Sequence, residues 1–103
     1  LAVMGRDRVP QFPQVPTIVE AGVANMVIET WNGVMAPAAT PPAVIAKINA
    51  EFNSLLTLPD VRQAMAKQGV DPVGGSPEKL DALIRSEIKM WTQVATRGKI
   101  VVE

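Results

Sequence analysis

The 103-residue chain contains no cysteine and no histidine. The first absence excludes disulfides, thiol catalysis and thiolate metal ligation. The two together leave a zinc ion nothing but carboxylates, so no metal site is expected; separately, no cofactor is expected. Charge of one sign is lacking too: 10 basic and 10 acidic residues give a formal net charge of zero. A nucleic-acid partner would ask for a basic face to neutralise phosphates, and an anionic membrane surface would ask for a polybasic segment. Neither is present, so no nucleic-acid partner is expected. No run of about 18 apolar residues exists to span a bilayer, and no signal-peptide pattern is visible.

Hydrophobic residues make up 48% of the chain, enough to expect one small domain with a core. The chain opens at Leu1-Ala2-Val3-Met4, inside an apolar run with neither an initiator methionine nor a polar leader. That start reads as a strand entered midway, and the expectation is a piece of a longer protein. Gly5 stops the run and Arg6-Asp7-Arg8 reads as a solvated turn. Pro10, Pro13 and Pro16 each fix φ and push the preceding residue toward extended geometry, which predicts a stiff, extended connector. Thr17 is placed to cap a short helix through Glu20 that Gly22 ends. Met26 to Met35 is rich in β-branched and aromatic residues and predicts a strand broken at Asn32-Gly33.

Three helices are predicted beyond it. The first takes Thr40 as its cap and Pro41 at its first position, with Val44, Ile45, Ile48, Phe52, Leu55 and Leu56 on one face. Pro59 stops it and Asp60 helps start the second, where Val61, Ala64 and Met65 face inward and Gly69 supplies a left-handed ending. Val70-Asp71-Pro72-Val73 reads as a brief extended piece. The third runs from Ser76 as cap, through Pro77 and Glu78, to Arg97 and Gly98, with Leu80, Leu83, Ile84, Ile88, Trp91 and Val94 as its apolar stripe. Ile100-Val101-Val102 is placed to add a terminal strand. The order predicts an α/β chain with two to four short strands and three main helices. So few strands cannot cover three amphipathic helices, a second reason to expect part of a larger fold.

Catalytic constellations are hard to assemble from these residues. Ser54, Ser76 and Ser86 have no histidine to act as base, and no lysine sits in an evidently apolar niche. Glu20 and Glu29 are acids in principle available for acid–base work, but read better as solvated surface groups. Gly74-Gly75-Ser76 precedes a helix as a phosphate-cradling turn would. Pro77-Glu78 stands where a Walker pattern needs Lys-Ser/Thr, so a plain loop-to-helix turn is the better reading. Trp31-Asn32-Gly33 combines an aromatic, an amide and a glycine at a strand irregularity. Such a trio can line a cleft, because asparagine hydrogen-bonds a carboxylate and glycine allows close backbone approach. The competing reading makes Trp31 core and Asn32-Gly33 a bulge. Trp91 reads as core.

Four segments resemble one family. Val15-Pro16-Thr17-Ile18-Val19-Glu20-Ala21-Gly22 resembles a VPT-x-x-EAG element. The stretch from Glu29 to Pro42 resembles E-x-W-x-G-x-x-AP-x-GTPP, departing from it at Ala39, where glycine is usual. Gly69 to Glu78 resembles G-x-x-P-x-G-x-[ST]-P-E, and Glu87 to Trp91 resembles the E-x-x-x-W of a last helix. In order and spacing these are similar to the Bug, or TctC-like, substrate-binding proteins of tripartite tricarboxylate transport systems. The resemblance covers nearly the whole chain.

The resemblance implies the C-terminal portion of a two-lobed type II periplasmic-binding-protein fold, exported to the periplasm and not an enzyme. Its partners would be a small carboxylate and the permease subunits of a membrane transporter. Residues 1–30 would end the second lobe, and residues 31–103 would cross and return to the first. Trp31, Asn32 and Gly33 are the residues carried over as belonging to the ligand cleft or hinge. The alternative is a structural role, in which the isolated piece associates with copies of itself through uncovered apolar faces.

Overall fold

The computed structural model describes residues 1–101 and divides into two compact units, Leu1–Val34 and Met35–Glu103. The first unit contains neither a helix nor a strand. Its long-range tie is an isolated parallel bridge between Val3 and Thr17. There the Val3 N–H donates to the Pro16 carbonyl at 2.9 Å, and the Ile18 N–H donates to the Val3 carbonyl at 2.8 Å. The Ile28 N–H adds a bond to the Met4 carbonyl at 3.0 Å.

The extended proline connector is corrected to two successive turns. The Phe12 N–H bonds the Val9 carbonyl at 2.9 Å, and the Val15 N–H bonds the Phe12 carbonyl at 3.0 Å. Pro10 and Pro13 each stand second in a four-residue turn, where a fixed φ near −65° is already the turn's own. A three-residue spacing therefore chains turns as readily as it extends a connector. The short helix expected from Thr17 is likewise a single turn, and Gly22 at φ +98° ends it.

The expected strands do not form among the described residues. Segments 1–4, 26–35 and 70–73 carry no ladder beyond the Val3–Thr17 bridge, and neither do Ile100 and Val101. Val102 lies outside the described residues. β-Branched composition sets a local tendency, but a strand exists only when a neighbour takes its N–H and C=O groups.

The second unit carries the three expected helices: α1 (Pro42–Leu55), α2 (Pro59–Lys67) and α3 (Pro77–Gly98). The α1 start is corrected by one residue. Pro41 takes the cap position, Pro42 opens the helix and no side chain caps it. Pro59 does more than stop α1, for it opens α2 with Asp60 in the first turn. Ser76 caps α3 as expected, its hydroxyl accepting from the Lys79 N–H at 3.3 Å.

The ends of α2 and α3 are built alike. At α2 the Val70 N–H bonds the Met65 carbonyl and the Gly69 N–H bonds the Ala66 carbonyl, each at 3.0 Å, around Gly69 at φ +71°. At α3 the Ile100 N–H bonds Ala95 at 3.0 Å and the Lys99 N–H bonds Thr96 at 3.3 Å, around Lys99 at φ +51°. Both are Schellman caps. In α3 the left-handed position falls one residue past Gly98, on a lysine.

Among the described residues no hydrophobic side chain is fully buried, which corrects the expected core. Ile45, Leu56, Val61, Met65, Leu80 and Ile84 are half-covered, whereas Val44, Ile48, Phe52, Leu55, Leu83, Ile88 and Val94 are exposed. Trp91 is corrected from core to 44% exposed. Its indole N–H donates to the Glu87 carboxylate at 2.7 Å, one turn back along α3. The stripes of α1 and α3 are both left open, because no two of the three helices pack extensively on each other.

Candidate functional site

The densest polar arrangement lies in the first unit. Thr17 and Glu20 form a capping box, a Thr-x-x-Glu pair that satisfies two backbone donors reciprocally. The Glu20 N–H donates to Thr17 Oγ1 at 3.2 Å, and the Thr17 N–H donates to Glu20 Oε2 at 2.7 Å. Arg8 closes on the same carboxylate with two donors, Nε to Oε2 at 2.9 Å and Nη2 to Oε1 at 3.1 Å. Its Nη1 donates to the Pro13 carbonyl at 2.9 Å and so pins the second proline turn. A planar guanidinium matches a carboxylate in this forked way, which fixes orientation as well as charge. Thr17 sits beneath at 4% exposure, the one buried polar residue of those described.

This clasp sets the electrostatics. The Arg8 hydrogen bonds hold the Glu20 carboxyl below its ordinary range, helped by the Thr17 N–H, and Glu20 in turn raises Arg8. Glu29 is engaged separately, accepting from the Arg6 backbone N–H at 3.0 Å. The two acids therefore do not face each other as an acid–base pair; each has its own partner. Sequence alone flags the Thr17-x-x-Glu20 pattern, but nothing in it announces Arg8, 12 residues from Glu20, as the third member.

An open hollow of about 420 Å³ lies over this cluster, lined by Arg6, Asp7, Arg8, Thr17, Val19, Glu20 and Val27. Its charges balance, and Arg8 is already taken by Glu20. A second hollow of about 440 Å³, within the second unit, is lined by Thr40, Pro42, Ile45, Ala46, Asn49, Pro77 and Glu78. The α1 and α3 N-termini both reach it, but Glu78 already occupies the α3 dipole. Its carboxyl is lowered by its own backbone N–H and by the Ser76 hydroxyl. No group of three or more acidic residues among those described is arranged to hold a metal ion, and no described helix is long and apolar enough to cross a membrane.

The Gly74-Gly75-Ser76 turn is occupied from within. The Asn53 side chain donates to the Gly75 carbonyl at 2.9 Å and accepts from the Gly75 N–H at 2.8 Å. The amide a phosphate would need is thereby used, and the segment acts as a loop-to-helix turn that α1 holds in place. Positive φ at Gly74 (+62°) and Gly75 (+121°) makes room for it. A Cβ on Gly74 would stand 2.6 Å from Asn53 Oδ1.

Trp31, Asn32 and Gly33 lie in an exposed segment without secondary structure near the end of the first unit. They line neither hollow, and none of them makes a hydrogen bond among the described residues. Trp31 is 37% exposed, so it is not core within its unit.

A family model described as tripartite tricarboxylate transporter family receptor matches residues 1–99. Among relatives, a UPF0065 protein from the tcbD-tcbE intergenic region of a Pseudomonas species is 43% identical over 97% of this chain and 30% of its own length. Protein BugT of Bordetella pertussis is 38% identical over 91% of this chain and 29% of its own length. Among solved structures, R. palustris Rpa4515 with adipate superposes with a TM-score of 0.80 at 32% identity, covering 93% of this chain and 32% of that one. The chain thus spans about 30% of the length of these relatives.

Proposed function

Because the chain belongs to the tripartite tricarboxylate transporter receptor family, we propose that it is the C-terminal portion of a two-lobed periplasmic receptor that captures a small carboxylate and delivers it to the permease subunits of a membrane transporter. The observation that carries this reading is the likeness to a solved protein whose bound molecule, adipate, is a dicarboxylate. The charge balance of the chain suits such a role, since a receptor must release its cargo. Backbone N–H groups, helix N-termini and a few polar side chains grip an anion without a fixed counter-charge.

In this reading residues 1–30 end the second lobe, residues 31–103 return the chain to the first, and the lobes close on the ligand by a hinge motion. Trp31, Asn32 and Gly33 belong to the cleft or the hinge. Their exposure and lack of internal partners support that assignment, because ligand- and hinge-facing groups are left free by their own unit.

A thermal-shift screen of the full-length protein against mono-, di- and tricarboxylates tests the proposal. A ligand that binds only the native state, at a hundred times its dissociation constant, stabilises it by about 2.7 kcal/mol, a clear upward shift. A selective shift with one carboxylate class is the expected result. No shift with any of them would overturn the carboxylate assignment.

A further inference from the structure

We infer that Asn32 is a spontaneous modification site, deamidating through attack by the Gly33 backbone nitrogen. The chain has four asparagines, at positions 25, 32, 49 and 53, and their surroundings separate them. Asn49 and Asn53 lie inside α1, where helical geometry turns the following amide into the hydrogen-bond ladder and away from the side chain. Asn53 is held further by its two bonds to Gly75. Asn25 sits at φ +60° and is followed by Met26, whose side chain crowds the approach. Asn32 alone is followed by glycine, and both residues are exposed in a segment with no helix or strand. The Gly33 N–H donates no hydrogen bond among the described residues, so its nitrogen is free to react. Without a Cβ on residue 33, the backbone reaches the required geometry at little steric cost.

The step balances without a redox partner. The Gly33 nitrogen loses its proton and forms a bond to Asn32 Cγ. The Cγ–Nδ2 bond breaks, and the amide nitrogen leaves as ammonia carrying that proton. Solvent water then opens the resulting cyclic imide at either carbonyl, giving aspartate or isoaspartate. Either product adds one negative charge to a chain whose formal charge is zero. The isoaspartate product also inserts a methylene into the backbone at this point.

Under the receptor reading, a carboxylate at position 32 would repel a carboxylate ligand in the cleft, so aged protein would bind adipate more weakly than fresh protein. The modification itself does not depend on that reading.

The test ages the full-length protein at mildly alkaline pH and physiological temperature, then maps each asparagine by peptide mass spectrometry with isoaspartate detection. The expected result is conversion at Asn32 several-fold faster than at Asn25, Asn49 or Asn53, with isoaspartate present, and strong slowing in Gly33→Ala. Conversion at Asn32 no faster than at the other three would overturn the proposal, as would a product free of isoaspartate, which the imide route always yields. The unsubstituted protein supplies both readouts even where Gly33→Ala fails to fold. Adipate titration of fresh and aged samples forms a second arm. Failure of fresh protein to bind adipate would count against that ligand and leave the modification result standing.

Discussion

The Thr17 turn and the start of α3 use the same chemistry to opposite extents. At Thr17 the capping box is complete, with side chain and backbone satisfied in both directions and Arg8 added to the acid. At Ser76 the cap is one-sided: its hydroxyl accepts from Lys79, and Lys79 has no acid to return the bond. Yet the complete box starts one turn, and the partial one starts a 22-residue helix. A cap lowers the cost of starting a helix but does not propagate it. Propagation depends on the residues downstream of the cap. Beyond Thr17 there is only Ile18 to Ala21 before Gly22 turns the chain at φ +98°. Beyond Ser76 an uninterrupted amphipathic stretch runs to Gly98. The first unit is thus organised by side-chain clasps on loops, and the second by helices with end caps.

The contrast is broken most strongly at a clasp of the loop kind in the second unit, where Asn53 makes two bonds to Gly75. Asn53→Ala removes both bonds to Gly75 and leaves the turn before α3 unsupported. Two hydrogen bonds at about 1 kcal/mol each predict a loss of about 2 kcal/mol in urea unfolding of the full-length protein. Asn53→Asp is expected to restore only part of it, because a carboxylate accepts from the Gly75 N–H but cannot donate to its carbonyl. A loss below a few tenths of a kcal/mol would show that the helices alone hold this turn.

Smaller effects are expected at the two caps themselves. Ser76→Ala predicts a loss of about 1 kcal/mol, the usual cost of deleting an N-cap side chain. Thr17→Ala removes the same kind of bond from a buried position, and the loss is expected to be at least as large. The locations differ. Hydrogen exchange should rise in the α3 first turn for Ser76→Ala, and around Val3, Ile18 and Glu20 for Thr17→Ala, because the Val3–Thr17 bridge rests on that turn. Exchange spreading through α3 in Thr17→Ala would contradict the separation of the two kinds of organisation.

The helices are legible in the sequence because their signals are local. Pro59, Ser76-Pro77 and Gly69 each act within a turn of where they stand; Ser76-Pro77 and Gly69 act as expected, and Pro59 opens α2 itself where Asp60 was expected to help start it. Prolines spaced by three admit both an extended run and chained turns, and only the partners of Phe12 and Val15 decide between them. The strands are not legible in the same way. Composition at 26–35 describes what a segment would do beside a neighbour, and no neighbouring strand pairs with it among the described residues. The Arg8–Glu20 and Asn53–Gly75 clasps escape sequence reading for the same reason: each joins residues 12 or 22 apart, and no local pattern marks the pairing. Residue type and the family resemblance single out Trp31, Asn32 and Gly33, and their freedom from internal partners can be read only from the structure.

The two Schellman ends offer a matched pair with a smaller difference. Gly69 meets the left-handed position with no Cβ, whereas Lys99 carries a side chain there at φ +51°. Lys99→Gly is expected to stabilise by roughly 0.5–1 kcal/mol, since the left-handed strain is relieved at some entropic cost. Gly69→Ala is expected to cost about 1 kcal/mol, with open space around the new methyl so that strain alone is measured. Thermal unfolding of the two variants side by side checks the signs. A stabilising Gly69→Ala would mean that the end of α2 relaxes away from its left-handed residue.

The smallest effect expected is in pH dependence, where each unit has one carboxyl held low for a different reason. Glu20 is lowered first by Arg8, and Glu78 first by its own backbone N–H at the head of α3. A carboxyl whose folded pKa lies below its unfolded value stabilises the fold above the unfolded pKa, and that contribution is lost as pH falls through the folded one. Both units should therefore weaken on acidification below the ordinary carboxylate range, with no change expected from these groups near neutrality. Salt separates the causes. Arg8 and Glu20 are 44% and 47% exposed, so added salt screens part of their attraction, while the forked hydrogen-bond geometry is screened less. Glu20→Gln should flatten the acid limb for the first unit and leave that of α3 intact, and Glu78→Gln should do the reverse. Carboxyl titrations followed by NMR in the two variants read this directly. If Glu20 titrates at its ordinary value when Arg8 is present, the clasp does not persist in solution, and the proline turns of the first unit lose the anchor that Arg8 provides at Pro13.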